Sequence, residues 1–364
     1  MTPKITIIGI GLIGGSLARA FKRFLPDAHV TGVDRAEIID YAQKESIIDI
    51  GYESEVLVDA CADADFVLIA TPPHSAMELL PAVANACKIG AIVSDVCSIK
   101  ADLVKSAKRA FENSSAVFIG GHPMAGSEKP GVASSDPYLF ENAIYVLTPD
   151  GTTPEEAVGK LAHLVGKIRA HVLLLEAEEH DKIAASVSHL PQMLAITLML
   201  YVAGKNEENA MYLKMAAGGF RDMTRIASSP YDIWRDICAG NRKKILAEID
   251  GFANALATLR EKVAEGNLQE SFENSARSRL AIPTDTRGFM HPHFDLSVDV
   301  QDKSGVIATI ANVLAKAEIN IRDIEVLKVR EDEGGTLRLS FESDHARSQA
   351  KDILQKQGYV CRNR

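Results

Sequence analysis

Gly120-Gly121-His122-Pro123-Met124-Ala125-Gly126-Ser127-Glu128 sets one imidazole in a glycine-rich loop directly after the apolar run Val117–Gly120. An imidazole titrates near ~6.5, so it is largely neutral at physiological pH and suited to general-base work. An isolated loop histidine is ordinarily a surface residue. The flanking glycines, and a place at the end of a strand, favour a role in chemistry. Asp95-Val-Cys97-Ser98-Ile-Lys100 ends another apolar run. Ser98 could bond His122 or a substrate, or simply cap the helix that Lys100 begins. Cys97 has no accompanying His–Asp arrangement and reads as a packed thiol.

Further along, Ser186-Val-Ser-His189-Leu-Pro191 sets a histidine in an apolar helix, where it needs a partner in the core or must point into a cleft. Gly218-Gly-Phe-Arg221-Asp-Met-Thr-Arg225-Ile-Ala227 and Trp234-Arg-Asp236 supply cations and the single tryptophan. Arginines there suit bidentate carboxylate recognition, although surface salt bridges would use the same residues.

A base needs a partner reaction, and the N-terminus suggests one. Lys4–Ile8 is β-branched and apolar, Gly9-Ile-Gly11-Leu12-Ile13-Gly14 follows, then a helical stretch, then a second apolar run ending at Asp34, 20 positions after Gly14. Gly-x-Gly-x-x-Gly alone is weak, but here strand, helix, second strand and terminal acid are all present, which marks a dinucleotide site. Gly9 permits the tight turn, Gly11 lets the backbone approach a pyrophosphate, and Gly14 lets helix and strand pack. The helix N-terminus then faces the anion. Asp34 favours NAD by accepting from a ribose 2′-hydroxyl, while Arg35 leaves room for NADP.

The elements that must hold these residues follow from periodicity. Short apolar runs alternate with helical patterns over residues 1–176, at 65–70, 91–95, 117–120, 142–147 and 170–175 after the first βαβ. This predicts an α/β, Rossmann-type, doubly wound parallel sheet whose strand-end loops share one crevice. Those loops are Gly9–Gly14, Thr71-Pro72-Pro73, Asp95–Lys100 and Gly120–Glu128. Residues 177–281 read as an all-helical domain carrying the substrate half of the cleft and a dimer interface. Within it, Ile245, Ile249, Phe252, Leu256, Leu259 and Val263 fall on one helical face. A polar Pro/Gly linker spans 282–290. Residues 291–364 then give the order βαββαβ, a ferredoxin-like unit.

The bulk numbers fit a multidomain protein: 364 residues, 46% hydrophobic and 24% charged. A net charge of −9 argues against nucleic acid, so an anionic substrate must meet a local cluster of cations. Five scattered cysteines without CxxC spacing exclude a usual zinc module, and no metal is expected. The chain opens on a strand with no room for a signal peptide, and the apolar segment 183–203 is interrupted by His189, Pro191 and Gln192. A cytoplasmic protein with no membrane span is expected.

Taken together, the motifs Gly9-x-Gly-Leu-Ile-Gly-Gly-Ser16, Asp95-x-x-Ser98-x-Lys100, Gly121-His-Pro-Met-Ala-Gly-Ser-Glu128, Val187-Ser-His-Leu-Pro191, Gly219-Phe-Arg-Asp-Met-Thr-Arg-Ile-Ala227 and Trp234-Arg-Asp236 closely resemble the prephenate dehydrogenases of tyrosine biosynthesis, over about residues 5–265. The C-terminal unit resembles an ACT domain, with Asp302-Lys-Ser304-Gly305-Val306 and Ile319-Asn320-Ile321 at the usual ligand-loop positions.

The resemblance implies oxidative decarboxylation of prephenate to 4-hydroxyphenylpyruvate with NAD. It assigns His122 to the hydroxyl proton and Ser98 to orienting His122 and touching the nicotinamide. Arg225 and His189 would hold the substrate carboxylates, and Glu128, Ser127 and Trp234 would shape the pocket. It further implies a homodimer, and tyrosine as an effector near Asp302, Ser304, Gly305, Val306 and Asn320. Arogenate is the alternative substrate. Rival readings are a 3-hydroxyacid or 6-phosphogluconate-like dehydrogenase, which typically uses a lysine base, and a non-enzymatic metabolite sensor.

Overall fold

Apolar runs of four to seven residues build an eight-stranded sheet from β1 (Lys4–Ile8), β2 (His29–Asp34), β3 (Ile50–Glu53), β4 (Phe66–Ile69), β5 (Ile92–Asp95), β6 (Val117–Pro123), β7 (Ile144–Thr148) and β8 (His171–Leu174). The spatial order is β3-β2-β1-β4-β5-β6-β7-β8. This computed structural model describes residues 2–126, 129–282, 294–301, 303–330 and 334–363, so Ser127, Glu128 and Asp302 lie outside the described residues. The chain falls into two compact units, Met1–Ala281 and Ile282–Arg364.

Alternation along β1 feeds two cores. Ile5 and Ile7 pack with Leu17, Phe21 and Tyr145 on one face, and Ile8 packs with Val67, Ile69, Val93 and Leu103 on the other. Helices cover both faces, as a buried parallel sheet requires. Register levels the strand ends: Ile8 pairs with Ile69, and Ile69 with Asp95. The loops after β1, β4 and β5 therefore begin side by side.

Two details depart from the sequence-based expectation. The sheet is mixed, because β7 runs antiparallel to β6 and β8 is parallel to β7. A parallel crossover needs a helix-length connection, whereas the described part of 124–143 holds only the short 3₁₀ turn Val132–Ser134. The four-residue β3 carries only one β-branched residue, which is why the periodicity does not reveal it.

In the helical part, Ala177–Ala184 passes through a π turn, Ala185–His189, into Leu190–Glu208. Pro191 has no N–H for the backbone ladder and crowds the carbonyl one turn earlier, and the wider turn absorbs that break. By length and composition the run Ala177–Glu208 could cross a membrane. Its buried side, however, carries His180, Asp181, His189 and Gln192, as a core helix next to a polar site would. Helix Arg242–Glu265 has the apolar stripe expected of it, yet only Ile245 is buried; Leu256 remains 55% exposed and Val263 58%.

The second unit is β9 (Phe294–Val300), helix Val306–Lys316, β10 (Asp323–Arg330), β11 (Gly334–Phe341), helix Asp344–Lys356 and β12 (Val360–Asn363). Its sheet order is β10-β11-β9-β12, the ferredoxin-like arrangement. Leu296, Val298, Ile310, Leu337, Leu339, Phe341 and Leu354 form its core.

Candidate active site

At the glycine loop, Gly9 has φ +93° and donates its N–H to Val33 O at 2.8 Å. A Cβ on Gly14 would stand 1.9 Å from Gly9 O, so this helix-to-loop contact tolerates no side chain. Over Gly11 the space is open. Helix Leu12–Phe24 has no acid in its first turn and no side-chain cap, which leaves its leading N–H groups for an anion. Asp34 braces the loop: Oδ2 accepts from Ile10 N–H and Oδ1 from Arg35 N–H, both at 2.7 Å. Each oxygen keeps a lone pair for a ribose hydroxyl. The Arg35 side chain is 78% exposed. Across the crevice, the Thr71 hydroxyl is buried without a partner beside Gly9, and Pro72 precedes helix Pro73–Ala86. These groups fit a dinucleotide.

Asp95 organises the next part. It accepts from Gly121 N–H at 3.0 Å through Oδ1 and from Cys97 N–H at 2.8 Å through Oδ2, and it pairs with the buried Lys100 ammonium. Gly121 lies so close that a Cβ would come within 2.5 Å of Asp95 O. β5 thereby clamps the end of β6 and sets the position of His122. Cys97 is buried, and burial beside Asp95 pushes its thiol well above the usual range, consistent with a packed, unreactive group.

His122 does not stand alone. Its Nδ1 lies 2.8 Å from His180 Nε2, and His180 Nδ1 lies 2.8 Å from Asp181 Oδ1. Asp181 also accepts from Lys100 N–H at 2.7 Å and Ala101 N–H at 2.9 Å. Burial alone would raise its carboxyl, but the bonds from His180 and from these two amides outweigh it and hold the group below the usual range.

An ionised Asp181 only accepts, so His180 Nδ1 carries the proton, which leaves Nε2 as the acceptor of that imidazole. His122 Nδ1 must then be the donor. The remaining nitrogen, Nε2, is a lone pair available to the cleft that His122 lines. Burial first, then His180, Lys100 and His189, push the His122 imidazole well below its ordinary range, so it rests neutral.

Ser98 lines the same cleft but makes no side-chain hydrogen bond to another described residue. Two expectations for it therefore fail in this structure. The partner of His122 Nδ1 is His180, and the cap of helix Ala101–Ala110 is the distant Asp181. The sequence reading missed His180 and Asp181; an adjacent His-Asp pair at the head of an apolar helix was the available signal.

The opposite wall comes from the helices. Asn241 Nδ2 donates to Asp181 O at 2.7 Å and lies 3.2 Å from His189 Nδ1. His189 Nδ1 is thus the acceptor and Nε2 carries the proton, yet Nε2 is buried without a partner. Burial, with His180 adding to it and Asp181 opposing, pushes His189 down to about 4, so it is a neutral donor. Trp234 meets its ring edge-on, centroids 5.9 Å apart. Gln192, also missed by the sequence reading, donates to Ile226 O at 3.0 Å and so ties the π-turn helix to the Arg225 segment. Arg225 and Trp234 line the cleft together with His122, Ser98, Leu12 and Ile13, around about 500 Å³. That volume suits a small organic ligand beside a nicotinamide.

The second unit has its own hollow, lined by Gln301, Lys303, Ser304, Gly305, Val306 and Tyr359 among others. Gly305, at φ +86°, opens helix Val306–Lys316 there. Asn320 is exposed and does not line this hollow.

Known proteins resemble this chain over nearly its whole length. The family described as "Prephenate dehydrogenase, nucleotide-binding domain" matches residues 17–174, its dimerization domain 176–275 and the ACT domain 294–357. A prephenate dehydrogenase of Bacillus subtilis is 36% identical over 98% of this chain and 96% of its own. The chain belongs to the prephenate dehydrogenase family. A Lactococcus lactis family member is 35% identical over 97% of this chain and 98% of its own. The prephenate dehydrogenase of Aquifex aeolicus, solved with hydroxyphenyl propionate and NAD+, superposes with a TM-score of 0.72 at 30% identity, covering 78% of this chain and 99% of its own. In this chain the three matched segments follow one another in sequence.

Proposed function

We propose that this chain catalyses NAD-dependent oxidative decarboxylation of prephenate to 4-hydroxyphenylpyruvate. The observation that carries the reading is the His122 tautomer. A neutral imidazole whose Nδ1–H is held by His180 keeps an Nε2 lone pair facing the cleft next to the glycine loop. Bound on that loop, NAD+ supplies the hydride acceptor. His122 Nε2 accepts the substrate hydroxyl's hydrogen bond and takes its proton as the ring carbon is oxidised. Arg225 meets a carboxylate through its planar fork. His189 offers its unpartnered Nε2–H, and Trp234 packs against the ring side of the pocket. Ser98 reaches the hydroxyl or the nicotinamide amide. Loss of carbon dioxide makes the ring aromatic, so positioning and proton handling are the main tasks left to the protein.

Asp34, with lone pairs left over, supports NAD over NADP, while Arg35, its Nε 3.9 Å from Asp34 Oδ1, is the group a 2′-phosphate would use. The exposed apolar stripe of helix Arg242–Glu265 supports a homodimer, a second copy covering Leu256, Leu259 and Val263. The ACT hollow at Ser304–Val306 supports an amino-acid effector, and tyrosine, one transamination from the product, is the effector proposed. Deleting 292–364 is expected to abolish tyrosine inhibition while catalysis persists; inhibition surviving intact would place tyrosine in the active site. All five cysteines are free, as a reducing cytoplasm would keep them.

Rates with prephenate and arogenate, each with NAD+ and NADP+, test the reading. Fastest turnover is expected for prephenate with NAD+, giving 4-hydroxyphenylpyruvate and carbon dioxide. Faster turnover of arogenate would overturn the substrate assignment.

A further inference from the structure

A base buried as deeply as His122 has a difficulty. It must become cationic during the reaction, in surroundings that disfavour a cation: a buried position, with His180, Lys100 from the loop after β5 and His189 from the π turn all nearby. The compensating carboxylate, Asp181, touches His180 and not His122. The Lys100 charge is neutralised by its own partner, Asp95.

We propose that His180 and Asp181 form a proton relay behind His122, so that the proton taken from the substrate is held as a charge on His180 beside Asp181. The inference rests on the dehydrogenase reading above. The hydroxyl proton moves to His122 Nε2 while the carbinol carbon gives up its hydride, and the proton on His122 Nδ1 passes to His180 Nε2. His122 is neutral again in the other tautomer, and His180 is an imidazolium whose Nδ1–H still bonds the carboxylate. As carbon dioxide leaves, the pair of the broken C–C bond enters the ring and makes a phenolate. The two protons then step back, one from His180 to His122 Nδ1 and one from His122 Nε2 to the phenolate oxygen. No net proton is gained or lost.

The geometry is suited to this. The transfer from His122 to His180 lies along a 2.8 Å contact between buried groups, a second 2.8 Å contact holds His180 to Asp181, and the Lys100 and Ala101 amides fix the carboxylate so that it cannot turn away. Because Asp181 also caps helix Ala101–Ala110, folding and proton handling are joined in one side chain. His180 and Asp181 are positioning residues, since neither lines the cleft.

His180→Gln separates relay from orientation. A glutamine carbonyl can still accept from His122 Nδ1–H but cannot carry the proton onward. Single-turnover rates in H₂O/D₂O mixtures are expected to bow for the wild type, reporting more than one proton in flight, and to become linear in His180→Gln. The turnover of His180→Gln is expected to fall roughly 10- to 100-fold, the scale of losing a supporting partner, with prephenate KM and NAD+ affinity nearly unchanged. A linear inventory in the wild type, which needs no variant to fold, would overturn the relay. So would undiminished turnover in His180→Gln, or a loss expressed only in KM. If the wild type makes no NADH from prephenate, the functional reading itself fails; if it does and the inventory is linear, only the relay does.

Discussion

The two walls of the cleft are built on opposite terms. On one side, Asp95, Lys100 and His122 from the sheet and its loops are buried and tied to one another and to His180 and Asp181 of the helix packed behind them. On the helical side, Arg225 is exposed, Trp234 half-buried, and His189 Nε2–H has no partner among the described residues. The first wall is tied together without a ligand, and on the second the His189 Nε2–H is the donor left for one. A group that does chemistry gains from being held in a single tautomer and place. Groups that bind must keep donors free until the substrate arrives, because a buried donor already paired offers no net gain.

Acidification is expected to act on an imidazole of each wall, His189 and His122, and to give the largest change. The folded His189 titrates at about 4, against about 6.5 in the unfolded chain. Between those values the unfolded chain binds a proton that the folded one does not. Stability is therefore full above about 6.5 and lost as the pH falls toward 4, by up to about 3 kcal/mol from this residue. His122 acts in the same direction. Denaturant unfolding at pH 7 and pH 5 checks it; equal stabilities would mean that these imidazoles are not held neutral.

Substitutions probe the walls separately. Gly14→Ala, which drives a Cβ into Gly9 O, is expected to weaken NAD+ binding by roughly 10²-fold, the cost of an ångström-scale misplacement; calorimetric titration with NAD+ measures it. Arg225→Ala is expected to raise prephenate KM about 10- to 100-fold, as the loss of a charged hydrogen bond would, with kcat much less changed. A large kcat loss with unmoved KM would place Arg225 among the chemical groups and erase the contrast. The smallest effect on the site is expected from Leu256→Glu, which should shift the protein from dimer to monomer in sedimentation, whereas an unaltered dimer would move the interface off that stripe.

Legibility in the sequence follows the same division. The glycine loop and Asp34 were readable because a dinucleotide site demands fixed residue types at fixed short spacings. The βαββαβ order of the last unit was readable from periodicity alone. What stayed hidden depends on contacts between residues far apart in the chain. Asp181 capping a helix some 80 residues upstream leaves no local pattern, nor does the pairing of His122 with His180. Ser98 was the nearer candidate for His122 in sequence, and the fold brought up a histidine instead. The reversal of β7 shows the same limit, since apolar runs reveal strands but not direction. The stripe on Arg242–Glu265 was legible as apolar; that its own chain leaves it uncovered was not.

The kinetics of His122→Asn test the central claim most directly. With NAD+ saturating, kcat for prephenate is expected to fall about 10²–10⁴-fold, the range for a general base, while KM stays nearly constant because the opposite wall still binds. Turnover equal to the wild type would remove His122 from the mechanism and contradict the account.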